Sequence, residues 1–95
     1  MVKLIWTDQA IEDLGVIGDF IAENSERYAK LTIKKLYDRT NILKEFPRTG
    51  RIVPEKNEEN VRELIEGNYR IIYEITSENL IYIMTVHHSS KDLKM

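Results

Sequence analysis

The spacing of apolar positions changes period partway along the chain. Residues 2–6, "VKLIW", form a short β-branched and aromatic run, and Thr7 before Asp8 has the form of a helix N-cap followed by a first-turn acid. From Asp8 to about Ala22, Ala10, Leu14, Ile17 and Ile21 step by three and four, which predicts an amphipathic helix with Glu12, Asp13, Asp19 and Glu23 on its wet side. "ENSE" interrupts that stripe. Ser25 can cap a second helix running to about Phe46, with Ala29, Ile33, Leu36, Thr40 and Leu43 in the same spacing and Lys30, Lys34 and Lys35 mostly off it. A link this short predicts an antiparallel helical hairpin.

"FPRTG" at 46–50 stops the helical pattern, because Pro47 disfavours helix in the residue before it and Gly50 supplies a turn. Beyond it the period is that of strands. "VRELIE" (61–66), "YRIIYEI" (69–75) and "LIYIMTVHH" (80–88) are separated by "GN" and "TSEN", which read as hairpin turns joining three consecutive antiparallel strands. "RIVPEKNEEN" (51–60) is polar and predicts a mobile loop. The expected fold is α+β in the order β-α-α-β-β-β, one helical hairpin packed on one face of a small antiparallel sheet.

Composition narrows the picture without redirecting it. Ninety-five residues with 42% apolar content suit a single domain over 1–95 with a real core, and no second domain fits. Fourteen Lys and Arg against 16 Asp and Glu leave a net charge of -2, so no overall field draws the chain to nucleic acid. The absence of cysteine excludes a disulfide framework and a thiolate zinc site, and no apolar run has signal or membrane length. These features fit a cytoplasmic protein with no membrane role.

Candidate chemistry gathers on the three C-terminal strands. Alternation puts Tyr69, Ile71, Tyr73 and Ile75 on one side and Arg70, Ile72 and Glu74 on the other, wetter side. In the last strand it puts Tyr82, Met84, Val86 and His88 on one side and Ile81, Ile83, Thr85 and His87 on the other. A histidine near neutral pH could move a proton while an arginine holds a phosphate, although polar residues ending a strand often do nothing. Successive strand residues point apart and no third His or Cys is present, so neither metal nor cofactor is expected. Arg62, Arg70 and Lys91 could form a cationic cluster, and with Glu63, Glu66 and Glu74 nearby a salt-bridged surface explains them equally well. Arg48 and Arg51 flank the turn and could reach phosphate or serve solubility alone. Tyr69, Tyr73 and Tyr82 could stack on bases, or pack in the core.

Four segments in this order, "LIWTDQAIEDLGVIGDFI", "EFPRTGR", "VRELIEGNYRIIYEI" and "IYIMTVHHSSKDL", together resemble the RelE/ParE superfamily of type II toxin-antitoxin toxins over nearly the whole chain. The resemblance implies the same β-α-α-β-β-β fold and a cognate antitoxin wrapped over the toxin. It implies one of two activities. RelE-like members cut mRNA on the ribosome, and in that case Arg70 would stabilise the phosphorane while His88 and Lys91 supply acid and base groups. ParE-like members poison DNA gyrase and need no catalytic centre. Arg62, Arg70, Tyr73, His87 and Lys91 are then the expected target-binding residues. The wording of "VRELIEGNYRIIY" and "HHSSKDL" and the acidic balance are closer to the ParE-like branch, with the ribosome and mRNA as the alternative target. A degenerate toxin surviving as an antitoxin-binding module is the third reading.

Overall fold

The computed structural model describes residues 1–90. The chain runs β1 (Lys3–Trp6), α1 (Asp8–Ala22), α2 (Glu26–Arg39), a 3-10 turn (Thr40–Lys44), β2 (Arg51–Ile52), β3 (Val61–Glu66), β4 (Tyr69–Ser77) and β5 (Leu80–His88). The strands form one sheet in the order β1-β5-β4-β3-β2. Two helices on a five-stranded sheet make an α+β fold in the expected order.

Three features depart from the sequence expectation. The sheet is mixed rather than antiparallel, because β1 lies parallel to β5, with Lys3 opposite Leu80 and Trp6 opposite Ile83. Reaching a parallel neighbour takes a long crossover, and the helical hairpin together with β2–β4 supplies it. The second helix ends at Arg39 instead of near Phe46. Its last turn tightens to 3-10 geometry where the Thr40 hydroxyl donates to the Tyr37 carbonyl (2.8 Å), offering the backbone an alternative to the next α-helical bond. The third departure is the segment 51–60, which pairs as β2, buries Val53 completely and straps across the sheet.

Caps fix the helix starts. The Thr7 hydroxyl accepts from the Ala10 N–H (3.2 Å) and donates towards the Ile83 and Met84 carbonyls, so the α1 cap is also tied to β5. Ser25 Oγ accepts from the Tyr28 N–H (3.1 Å) at the start of α2. Gly67, at φ +58°, opens the two-residue turn between β3 and β4, a conformation that costs a residue with a side chain more.

The two faces of the sheet hold separate cores. Ala10, Leu36 and Leu43 from the helical side meet Leu64, Ile71, Tyr73, Ile81, Ile83 and Val86. On the opposite face Val53, Val61 and Ile72 form a second cluster with Met84 against it. The β4–β5 register shifts between Ile72 and Tyr73, so Thr85 stands opposite Ile72 while Ile83 stands opposite Tyr73. This bulge defeats simple alternation in β5. Ile83 and Val86, expected on different sides, both enter the helix-facing core, while Met84, expected beside Val86, packs on the other face.

Candidate functional site

Arg70 is the centre of the candidate site, and it is buried rather than wet, with 7% of its surface exposed. Its neighbours across the sheet are Ile65 of β3 and His87 of β5, so all three stand on the face away from the helices. Burying a guanidinium requires carboxylates nearby. Glu63, completely buried, is two residues before Ile65 on the same face of β3, and its Oε1 accepts from Arg70 Nε at 2.6 Å. Glu55 reaches down from the strap and accepts from both terminal nitrogens of Arg70, each at 2.8 Å. Arg51 in β2, opposite Glu63 in register, holds the other oxygen of Glu63.

The result is a closed ladder, Arg51, Glu63, Arg70 and Glu55, in which both oxygens of each carboxylate are engaged or face a guanidinium fork. The bidentate bond to Glu55, reinforced by Glu63 and opposed by burial, holds the Arg70 pKa above its already high ordinary value. Arg70 therefore stays charged at any ordinary pH. Its three carboxylate-directed N–H groups are already spent within the chain.

The other sequence-selected residues are distributed differently. Tyr73, expected at a binding surface, is fully buried on the helix-facing side. Its hydroxyl donates to the Pro47 carbonyl (2.7 Å) and accepts from the Gly50 N–H (2.9 Å), and burial pushes its pKa up. Arg62 is half-buried and donates to the carbonyls of Glu59 (2.9 Å), Gly50 (2.9 Å) and Arg48 (3.3 Å), so it fastens the 47–50 turn instead of joining Arg70 in a cationic cluster. His88 stands opposite Tyr69, packs edge-on against that ring at 5.5 Å and shares a contact of 2.7 Å between its Nδ1 and Ser90 Oγ. Tyr69 belongs to the helix-facing core, so Arg70 and His88 lie on opposite faces of the sheet. His87, not His88, shares Arg70's side. Lys91 lies outside the described residues.

Sequence reasoning missed Glu55 as a partner, since it sits in a polar stretch read as a loop. Glu63 had a usable signal: it alternates with Val61 and Ile65 in a strand otherwise apolar on that side, a placement that costs free energy unless a cation meets it. Among the described residues, no group of three or more His, Asp or Glu side chains could hold a metal ion.

A helical hairpin over a five-stranded mixed sheet is the fold of the RelE/ParE toxins. The chain belongs to the family described as ParE toxin of type II toxin-antitoxin system, parDE, whose profile matches residues 4–93. It is similar to Toxin RelE2 of Caulobacter vibrioides, at 26% identity over 91 residues, 96% of this chain and 99% of that one. Among solved structures it superposes on the chromosomal ParDE TA system from P. aeruginosa with a TM-score of 0.76 at 21% identity, covering 93% of this chain and 96% of the other. The E. coli DinJ-YafQ complex is a more distant fold match, with a TM-score of 0.54 at 12% identity over 95% and 96% of the two chains. Among the described residues no helix is long and apolar enough to cross a membrane.

Proposed function

We propose that this toxin arrests growth by binding DNA gyrase without cleaving RNA, and that a cognate antitoxin neutralises it. The observation that supports this reading is the state of Arg70. An arginine that stabilises a phosphorane needs open N–H groups beside a proton-transfer partner. Arg70 instead directs three of its five N–H groups at Glu55 and Glu63, and His88 is across the sheet from it. A surface that acts by contact needs no such assembly.

The antitoxin part of the proposal draws on the helical hairpin. Val16 and Phe20 of α1 and Tyr28, Leu31 and Tyr37 of α2 are large apolar side chains left exposed. Such apolar surface marks a face that another protein covers, and the P. aeruginosa structure that this chain resembles is a ParDE TA system.

Supercoiling of relaxed plasmid by purified gyrase, run beside translation of a defined mRNA with the same toxin preparation, tests the reading. Supercoiling is expected to fall with added toxin while the transcript stays intact. Unchanged supercoiling at large toxin excess, or cuts in translated mRNA that Arg70→Ala abolishes, would overturn it.

A further inference from the structure

The outward side of the helical hairpin is divided by sign. The charged residues of α1 are Asp8, Glu12, Asp13 and Asp19, with no Lys or Arg among them, and Asp13 is turned in to β5. In α2 the balance is basic, and Arg27, Lys30, Lys34 and Lys35 are all exposed. Among the described residues no ion pair joins the two helices: Lys34 pairs with Asp38 along α2 (2.5 Å) and Arg39 reaches Glu66 of β3 (3.6 Å). Glu12 and Asp19 on one helix, and Arg27, Lys30 and Lys35 on the other, face solvent.

An apolar groove of about 560 Å³ runs between these rims, with Gly18, Ala22, Ala29, Ile33 and Tyr37 in its walls. Ile11, Gly15, Gly18 and Ala22, spaced by four and three, share one side of α1, and a Cβ placed on Gly15 would meet nothing within 4 Å. The face is therefore an apolar centre between two charged rims, the plan of a protein interface.

The signs of the rims select the occupant. A partner of one sign is drawn to one rim and repelled by the other, whereas a second copy of this chain carries both signs at the same spacing. A twofold axis running along the helices lays the acidic α1 of each copy over the basic α2 of the other, while a twofold across the helices sets like charge on like. The first axis also fixes the level, because rotation about it leaves position along the helices unchanged. Gly18 lies against Ile33, whose side chain would be 3.4 Å from a Cβ there, so Asp19 is level with the Lys30–Lys34 turn of the second copy's α2. Glu12, two turns earlier, is level with the last turns of α2, which carry Lys35.

We propose that the free toxin pairs with itself through this face, as a twofold four-helix layer in which α1 of each copy packs on α2 of the other. Fifteen residues of α1 span about 22 Å and two adjacent helices about 20 Å, a footprint below the roughly 800 Å² per partner of a standard interface, which makes the pair a weak one with micromolar affinity. The hairpin is also the face proposed above for the antitoxin, so self-pairing and neutralisation exclude each other. The pairing concerns the toxin alone and does not depend on gyrase being the target.

The test is sedimentation of the purified full chain over a concentration series, as wild type, as Glu12→Lys with Asp19→Lys, as Lys30→Glu with Lys34→Glu, and as an equal mixture of the two variants. All four positions are exposed, so the fold is expected to survive, and far-ultraviolet circular dichroism checks it. Wild type is expected to pass from monomer to dimer through the micromolar range and to dissociate more readily as salt is raised. Each variant makes both helices one sign and is expected to weaken the dimer at least about tenfold, while the mixture restores it, because the basic α1 of one variant then meets the acidic α2 of the other. Wild type that stays monomeric at high concentration, association that salt strengthens, variants that pair as wild type does, or a mixture that stays monomeric would each overturn the inference. A monomeric wild type that still binds its antitoxin would sink self-pairing and leave the antitoxin reading standing.

Discussion

Ile71 and Ile72 are consecutive residues of β4, both without exposed surface, and they sit in different cores. Ile71 points into a continuous apolar cluster drawn from both helices and four strands' worth of sheet surface. Ile72 points into a cluster of three buried side chains roofed by the strap, with the Arg51–Glu63–Arg70–Glu55 ladder beside it. One face is closed by hydrophobic burial, which is non-directional and tolerant of detail. The other is closed by a few ion pairs, which depend on every member being present.

That difference predicts where the fold breaks most easily. Glu63→Ala removes the carboxylate between two guanidiniums and leaves Arg70 buried with only Glu55. Breaking a buried pair by deleting one partner costs about 3–5 kcal/mol. Replacing both members with apolar residues of similar size, Glu63→Leu with Arg70→Met, is expected to recover most of that loss. Urea unfolding of the single and double variants checks it, and a double variant no more stable than Glu63→Ala would show that the ladder contributes more than compensated charge.

The same comparison separates what the sequence made legible from what it hid. Helix-facing positions were readable because Ala10, Leu14, Leu36 and Leu43 repeat at helical spacing and Leu64, Ile71 and Tyr73 alternate. The family and the element order followed from them, and Tyr73 was legible as a core residue although a binding role was also assigned to it. The strap was hidden because its one core residue, Val53, is surrounded by polar neighbours and Pro54. The Arg70 site was half legible: the residue could be picked out, but its saturation depends on Glu55, fifteen residues away, and on the β3–β4 register. The separation of Arg70 from His88 likewise rests on cross-strand pairing that no local pattern specifies.

Truncating the two isoleucines tests the difference in burial directly. Ile71→Ala opens a hole in a cluster hemmed in by helices and strands, and a loss of about 4 kcal/mol is expected. Ile72→Ala opens one beneath a strap that can settle inward, so the loss is expected to be nearer 2 kcal/mol, since cost depends on how well a site collapses. Equal losses, read from chemical unfolding at matched conditions, would mean that the strap is as rigid as the helical layer.

A smaller effect is expected where a helix reaches the β5 bulge. Asp13 Oδ2 accepts from the Thr85 hydroxyl (2.5 Å) and from the Val86 N–H (2.9 Å), which satisfies a backbone donor beside the register shift. Asp13→Ala leaves that donor without its carboxylate, at a cost of about 1–3 kcal/mol. Faster amide exchange at Val86 should accompany the loss while the Arg70 side-chain signal stays put. Movement of the Arg70 signal would show that the two faces are coupled through the bulge.

Tyr73 joins the two systems, because its ring is in the helix-facing core and its hydroxyl holds the 47–50 turn from which β2 and the strap begin. A side chain cannot be added at Gly50 without meeting it, since a Cβ there would lie 2.7 Å from the hydroxyl and 2.4 Å from the Glu63 carbonyl oxygen. Tyr73→Phe keeps the ring and removes both hydrogen bonds, so a loss of about 1–2 kcal/mol is expected at neutral pH. The pH dependence is distinctive. Burial raises the folded-state pKa of Tyr73 above its ordinary value of 10.0, so the folded chain favours the neutral phenol more than the unfolded chain does. The stability this confers is fully present below the unfolded pKa and drains away as pH climbs from there towards the folded value. The phenylalanine variant has no such group to titrate. The gap in unfolding free energy between wild type and Tyr73→Phe should therefore be constant through neutral pH and shrink above about pH 10. A gap that stays level into the alkaline range would mean that the hydroxyl titrates as it does in water, and that the 47–50 turn opens without disturbing the core beneath it.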